Sequence, residues 1–277
     1  MTAPELPSLP GPALLFCPAD RPDRYAKALA AADGVIIDLE DGVAADGKDA
    51  ARAALVATAL DPARVIVRVN AAGTPEHAAD IEALRGTGYR LIMLAKTETR
   101  AQLDGLGGDW RIVALCETPL GVVNAAEIAA APNVIAVLWG AEDLIAAMRG
   151  RTSRFADGRY RDVAMHARSA ALLAASAYGK AAIDSVYVNI PDLDGLAAEA
   201  EDAAASGFTL KACVHPSQVA VVRKAFQADE AQVAWARQVL AATRGASGRD
   251  KGVITVDGQM IDGPLIRQAE AILASVR

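Results

Sequence analysis

Seven charged residues fall where short apolar runs end. The run VIIDLED closes on Glu40 and Asp41, VIVRVN carries Arg68, and LIMLAK closes on Lys96. IVALCE closes on Glu117, and VIAVLWG leads into Glu142 and Asp143. Carboxylates gathered around one cavity repel each other and ionise most easily around a hard divalent cation. Mg²⁺ suits such a set: it takes oxygen ligands, keeps several waters and needs only one or two protein carboxylates besides substrate oxygens. Glu117 and Asp143 are the expected direct ligands, with Glu40 and Asp41 holding its waters. Free coordination positions suit a 2-oxo acid bound through its carboxylate and keto oxygen. Arg68 then places positive charge where negative charge develops on that oxygen.

The elements that bring these residues together are legible as alternation. Candidate strands lie at 13–17, 35–40, 64–70, 90–96, 111–117, 134–140, 185–190 and 209–215. Ala-rich helical stretches lie near 22–32, 47–60, 75–84, 99–106, 120–131, 162–179, 192–206 and 216–227. Eight β-then-α units in sequence are the signature of a (β/α)₈ TIM barrel, whose catalytic residues sit at the carboxyl ends of its strands. No G-x-G-x-x-G turn follows any strand, which speaks against an open nucleotide-binding sheet. Pro22, Pro119 and Pro216 mark helix starts, and Ser206-Gly207 marks a helix end. Because side chains alternate along a strand, Asp38 shares a face with Glu40, and Arg68 with Asn70. The barrel is expected over 1–228. Residues 229–277 form a C-terminal extension of two helices, a loop RGASGRDKG and a strand-like VITVDGQMI, expected to pack on the barrel or on a neighbouring subunit.

Composition narrows the function classes. Of 277 residues 53% are hydrophobic but only 4% aromatic, which suits parallel strands of Val, Ile, Leu and Ala covered by Ala-rich helices. The formal net charge of −6 argues against a nucleic-acid partner. Cys17, Cys116 and Cys213 sit in apolar runs without metal-ligand spacing and read as buried thiols. The opening MTAPELPSLPGPA does not read as a signal peptide, and no apolar run approaches the ~18 residues of a membrane span. A cytoplasmic protein without membrane partners is the expectation.

The strings VIIDLEDGV, VIVRVN, ALCETPLGV, WGAEDL and ACVHPSQV, in this order over about 12–226, resemble the citrate lyase β-subunit family within the HpcH/HpaI aldolase superfamily. The likeness is nearest to its stand-alone actinobacterial β-hydroxyacyl-CoA lyases, and DGQMIDGP extends it weakly into the tail. The resemblance implies a Mg²⁺ or Mn²⁺ lyase, usually a homotrimer. It implies cleavage or formation of a 3-hydroxyacyl-CoA thioester of the malyl-, citramalyl- or citryl-CoA type, giving an acetyl-CoA-like thioester and a small 2-oxo acid. Glu117 and Asp143 match the family's metal ligands, Arg68 its substrate arginine, and Glu40-Asp41 the acidic pair beside the metal. Asp262 matches an aspartate that reaches a neighbouring subunit's site, and is the candidate proton shuttle. After the first strand CPADRPDRYAK stands where PGNRPD is common; Asp20 replaces Asn, while Arg21, Arg24 and Lys27 remain to approach coenzyme A phosphates.

Three other readings share these residues. A Schiff-base aldolase would use Lys96 as nucleophile. A metal-dependent aldolase would act on free hydroxy-oxo acids. A citrate lyase β subunit would need partner subunits. His215 reads as anchoring the turn into the helix it precedes, and the Arg-rich stretch RGRTSRFADGRYRD as a solvated loop or a phosphate or subunit contact.

Overall fold

The computed structural model describes residues 9–107, 109–245 and 254–276. The opening eight residues of MTAPELPSLPGPA and most of the loop RGASGRDKG lie outside the described residues. Eight parallel strands close into a barrel in sequence order, with β1 (Ala13–Pro18) pairing both β2 (Gly34–Asp38) and β8 (Leu210–Cys213). Between them run β3 (Val65–Val69), β4 (Leu91–Leu94), β5 (Arg111–Cys116), β6 (Val134–Trp139) and β7 (Ala181–Asp184). This is the expected (β/α)₈ architecture.

Strand parity decides what fills the barrel. Leu14, Ile36, Ile66, Met93, Val113, Leu115, Leu138, Ile183 and Ala212 form one buried cluster, so alternate residues point to the axis. The next inward positions are Asp38 on β2, Arg68 on β3 and Glu117 just past β5.

Helices α1 (Pro22–Ala31), α2 (Lys48–Ala57) and α3 (Pro75–Arg85) follow the first three strands, and α4 (Arg100–Asp104) the fourth. The stretch expected as one helix over 120–131 is two, α5 (Pro119–Val123) and α6 (Ala125–Ala129). They break at Asn124, whose amide donates to the Glu98 carbonyl at 2.9 Å. Thr118 caps α5, accepting the Gly121 N–H at 3.1 Å, with Pro119 in the first turn. A short α7 (Ala141–Ala147) leaves β6 directly, and α8 (Asp162–Ala177), α9 (Leu193–Ser206) and α10 (Pro216–Ala225) complete the alternation. Gly207 ends α9 at φ 112°, where a Cβ would be strained.

The seventh strand lies earlier than its sequence expectation of 185–190. β7 is the run AAID, while SVYVNI is an irregular segment from which Ser185, Val186 and Val188 face a cavity. Outward-facing Asp184 explains the shift. It is fully buried behind the barrel, accepting from Lys211 Nζ at 2.7 Å, Arg168 Nε at 2.9 Å and Trp139 Nε1 at 2.9 Å. Its carboxyl stays below the usual range because Lys211 and Arg168 overcome the opposing effect of burial.

The chain divides into two compact units, Met1–Val222 and Arg223–Arg277. In the second, α11 (Glu230–Gly245) and α12 (Gly263–Ala274) share a small core of Ala236, Val239, Ile261 and Ala269. A hairpin of β9 (Ile254–Val256) and β10 (Gln259–Ile261) joins it, turned by Asp257 at φ 47° and Gly258 at φ 79°. Asp-Gly with both φ positive is the favoured two-residue hairpin turn.

Candidate active site

At the carboxyl mouth of the barrel, Asp38 and Arg68 lie opposite each other in register on β2 and β3. The guanidinium grips the carboxylate with two bonds, Nε to Oδ1 at 2.7 Å and a terminal nitrogen to Oδ2 at 2.6 Å. Its other terminal nitrogen reaches Glu40 at 3.1 Å, and its plane lies 5.0 Å from the Phe16 ring centre. Burial works against the Arg68 charge, but Asp38, Glu40 and Glu117 hold it firmly protonated. Asp38 also accepts the N–H groups of Glu40 at 2.9 Å and Gly42 at 2.8 Å, which turn the chain after β2. Gly42 is required there, because a Cβ would collide with that carboxylate.

Glu117 directly follows β5, with 2% of its surface exposed. Its Oε1 accepts the Lys96 N–H at 3.1 Å, and no cation lies within ion-pair distance among the described residues. Burial first, then the charge of Asp143, pushes its carboxyl up to about 8 against the pull of Arg68 and Lys96. The side chain lies over Gly140, where a Cβ would stand 2.8 Å from Glu117 Cβ, so the turn from β6 into α7 must be glycine. That turn delivers Asp143 in the first turn of α7, where the helix dipole favours a carboxylate.

Lys96 pairs with Glu40, with Asp41 at 3.3 Å and with Asp143 at 4.0 Å. Burial alone would lower its pKa, but Glu40, Glu117 and Asp41 raise it above the ordinary lysine range. A protonated, ion-paired amine is no nucleophile, and this disfavours the Schiff-base reading. Asp41 is held below the usual carboxylate range, since Lys96 and Arg68 outweigh its partial burial.

The mouth holds a cavity of about 420 Å³ with an apolar wall that includes Phe16, Leu115, Leu138 and Val186. Asp38, Asp41, Arg68, Glu117 and Asp143 all face it. Glu142 faces it too, its carboxylate accepting from the buried Ser153 at 2.6 Å. Among the described residues no three His, Cys, Asp or Glu side chains stand together as a complete metal cage. Two carboxylates with water and substrate oxygens are the ligand set a hexacoordinate Mg²⁺ favours. A buried carboxylate that resists ionisation beside a second one is a fitting donor, because a dication removes both penalties.

The sequence missed Asp38 as a site residue and α7 as an element. The signal for Asp38 was present: aligning the apolar triplets of VIID and VIVR sets Asp38 opposite Arg68. Asn70 leaves the face of Arg68, since β3 ends before it, and bonds instead to Asp80 at 2.7 Å and Lys48 at 2.8 Å.

Arg21, Arg24 and Lys27 do not line that cavity. Arg21 precedes α1 and forks onto Asp23 at 3.0 Å, while Arg24 and Lys27 are exposed on that helix. His215 Nδ1 lies 2.8 Å from Ser217 Oγ and accepts the Ser217 N–H at 3.2 Å, the turn-anchoring role expected for it. In the Arg-rich stretch, Arg154 lies 3.7 Å over the Tyr160 ring and pairs with Glu199 at 2.8 Å. All three cysteines are buried, as expected. Asp262 precedes α12 in the second unit, and its carboxylate makes no capping bond.

A closed parallel barrel with acids and a clamped guanidinium at the carboxyl ends of its strands defines a barrel enzyme built for oxyanion chemistry. The chain belongs to the HpcH/HpaI aldolase/citrate lyase family, which residues 13–216 match. Membership makes it an enzyme of the aldolase and lyase class. It is 55% identical over 263 residues to the citrate lyase subunit beta-like protein of Mycobacterium tuberculosis, spanning 95% of this chain and 94% of the relative. Its fold matches protein CitE from that organism, solved with magnesium, acetoacetate and coenzyme A, at a TM-score of 0.91. That match has 54% identity and covers 96% of this chain and 98% of the other. The M. tuberculosis citrate lyase beta subunit with oxaloacetate and magnesium matches at a TM-score of 0.77 and 58% identity, over 79% of this chain and 97% of that one. No described helix is long and apolar enough to cross a membrane.

Proposed function

We propose that this chain cleaves and forms a 3-hydroxyacyl-CoA thioester of the malyl-, citramalyl- or citryl-CoA type. The products of cleavage are an acetyl-CoA-like thioester and a 2-oxo acid. The observation that carries this reading is Glu117: a buried carboxylate paired with no cation among the described residues, beside Asp143, at a mouth where Arg68 is already fixed. The solved relatives with magnesium, coenzyme A and oxo acids support it.

Glu117 and Asp143 would hold Mg²⁺ or Mn²⁺, which when bound supplies Lewis acidity to the oxygen that is hydroxyl in the substrate and carbonyl in the product. Arg68, held in one orientation by Asp38, adds a second fixed positive charge at the mouth. Glu40 and Asp41 accept hydrogen bonds from waters there, and the apolar wall limits the water that reaches the reacting carbons. In cleavage Asp262 from a neighbouring chain takes the hydroxyl proton as the bond from the hydroxyl carbon to the thioester α-carbon breaks. The electron pair passes to the thioester enolate. Asp262 from a neighbouring chain protonates that enolate carbon, and Arg21, Arg24 and Lys27 receive coenzyme A phosphates. The chain works as a homo-oligomer in the cytoplasm.

The test is to incubate purified protein with acetyl-CoA and, separately, glyoxylate, pyruvate and oxaloacetate, with Mg²⁺ and with EDTA. Mass spectrometry should show a new thioester equal to the sum of two reactants, absent with EDTA. Release of free coenzyme A with no carbon–carbon product from any acceptor would make the chain a thioester hydrolase instead.

A further inference from the structure

Lys96 occupies a backbone conformation that a residue with a Cβ avoids, φ 50°. The turn is pinned on both sides: Ala95 N–H donates to the Val69 carbonyl at 3.3 Å and Thr97 N–H to the Leu115 carbonyl at 2.9 Å. Pinned this way, the Lys96 N–H turns onto Glu117 Oε1 at 3.1 Å. Glycine would satisfy that backbone without strain, so the lysine is kept for its side chain. The ammonium meets Glu40, Asp41 at 3.3 Å and Asp143 at 4.0 Å, with a third of the side chain exposed. One residue therefore addresses both proposed metal ligands, Glu117 through its amide and Asp143 through its charge.

We propose that Lys96 is a positioning residue whose ammonium is the resident counter-cation of the carboxylates at the barrel mouth and limits how tightly a divalent ion is held there. The inference rests on the metal site proposed above. Without a cation, Glu40, Asp41 and Asp143 would repel one another and spread. The ammonium holds them near the positions that a dication needs. Once a dication binds Glu117 and Asp143, the ammonium beside Asp143 repels it. Lys96 thus trades affinity for a preset site that loads and releases its ion readily.

The test measures Mn²⁺ affinity of the full chain by electron paramagnetic resonance for wild type, Lys96→Met, Lys96→Arg, Lys96→Gly and Glu117→Gln. Removing a unit positive charge beside a dication should tighten Mn²⁺ binding roughly tenfold or more in Lys96→Met and Lys96→Gly. Lys96→Arg keeps the charge and should bind like wild type. The rise in melting temperature on adding Mn²⁺ should be larger in Lys96→Met than in wild type. Should Lys96→Met fail to fold, Lys96→Gly carries the test, because it relieves the backbone while removing the charge. Unchanged or weaker Mn²⁺ binding in the folded neutral variants overturns the role of Lys96 but leaves the metal site standing. A wild type that binds no Mn²⁺, or a Glu117→Gln variant that binds it equally well, removes the site and this inference together.

Discussion

Glu117 is a carboxyl group that keeps its proton well above the ordinary glutamate range. Its ordinary value is 4.5, and burial beside Asp143 moves it to about 8. Between those values the folded chain keeps a proton that the unfolded chain has lost. Metal-free stability should therefore fall as pH rises from about 4.5 through about 8. Glu117→Gln should flatten that part of the profile and leave the metal-free protein more stable at the alkaline end, measured by thermal melts in EDTA. In wild type, Mn²⁺ affinity should rise with pH up to about 8, with proton release visible in calorimetry across buffers. Arg68 makes the opposite case. It is 9% exposed and committed to Asp38 and Glu40, so Arg68→Ala strips the buried Asp38 of its guanidinium while Glu40 keeps only Lys96. That should cost about 3–5 kcal/mol in urea unfolding, as when one member of a buried ion pair is removed. The acids and cations of the mouth were legible from strand-end positions alone. The Asp38–Arg68 clamp shows only when the runs VIID and VIVR are aligned with each other, because it depends on the register between two strands, which neither strand carries by itself.

Elements were legible where one pattern dominated and lost where two competed. The strands from β1 to β6, and β8, are mostly apolar runs, and each lies within a few residues of its sequence expectation. At the seventh position VYVNI has the stronger β-branched and alternating pattern, but AAID holds the pairing because Asp184 anchors it from behind. A buried network of Asp184, Lys211, Arg168 and Trp139 has no signature in local periodicity. Helix α7 was hidden because Gly140 reads as a terminator and seven residues carry little periodicity. The displaced segment has a function: Lys211 donates to the Ser185 carbonyl at 2.8 Å and Gln218 to the Tyr187 carbonyl at 2.8 Å, fixing the wall that Ser185, Val186 and Val188 give the cavity. Lys211→Met should thus act at two levels. It should destabilise the fold by about 3–5 kcal/mol, since Asp184 loses a buried partner. In the surviving folded fraction it should raise KM for the oxo acid more than it lowers kcat, read from steady-state condensation rates.

On the scale of the whole chain, binding and turnover are assigned to different compact units. Every residue proposed to hold the metal and the oxo acid lies in Met1–Val222, whereas Asp262 lies in Arg223–Arg277. An aspartate before Gly-Pro at a helix start ordinarily caps the helix; this one spends no capping bond, so its carboxylate stays available for a proton. If Asp262 serves the enolate, Asp262→Asn should leave Mn²⁺ affinity and the KM of the oxo acid near wild type. Its kcat should fall about a hundredfold or more, the usual worth of a positioned acid or base. Glu117→Gln should fail differently, losing the metal. Because the proton is assigned to a neighbouring chain, the two inactive variants should complement each other. Unfolded together and refolded as mixed oligomers, some sites would join an intact Glu117 to an intact Asp262, and condensation activity should return to a fraction of wild type. Activity that stays absent in mixed oligomers confirmed by native mass spectrometry would place the proton carrier within the chain that holds the metal.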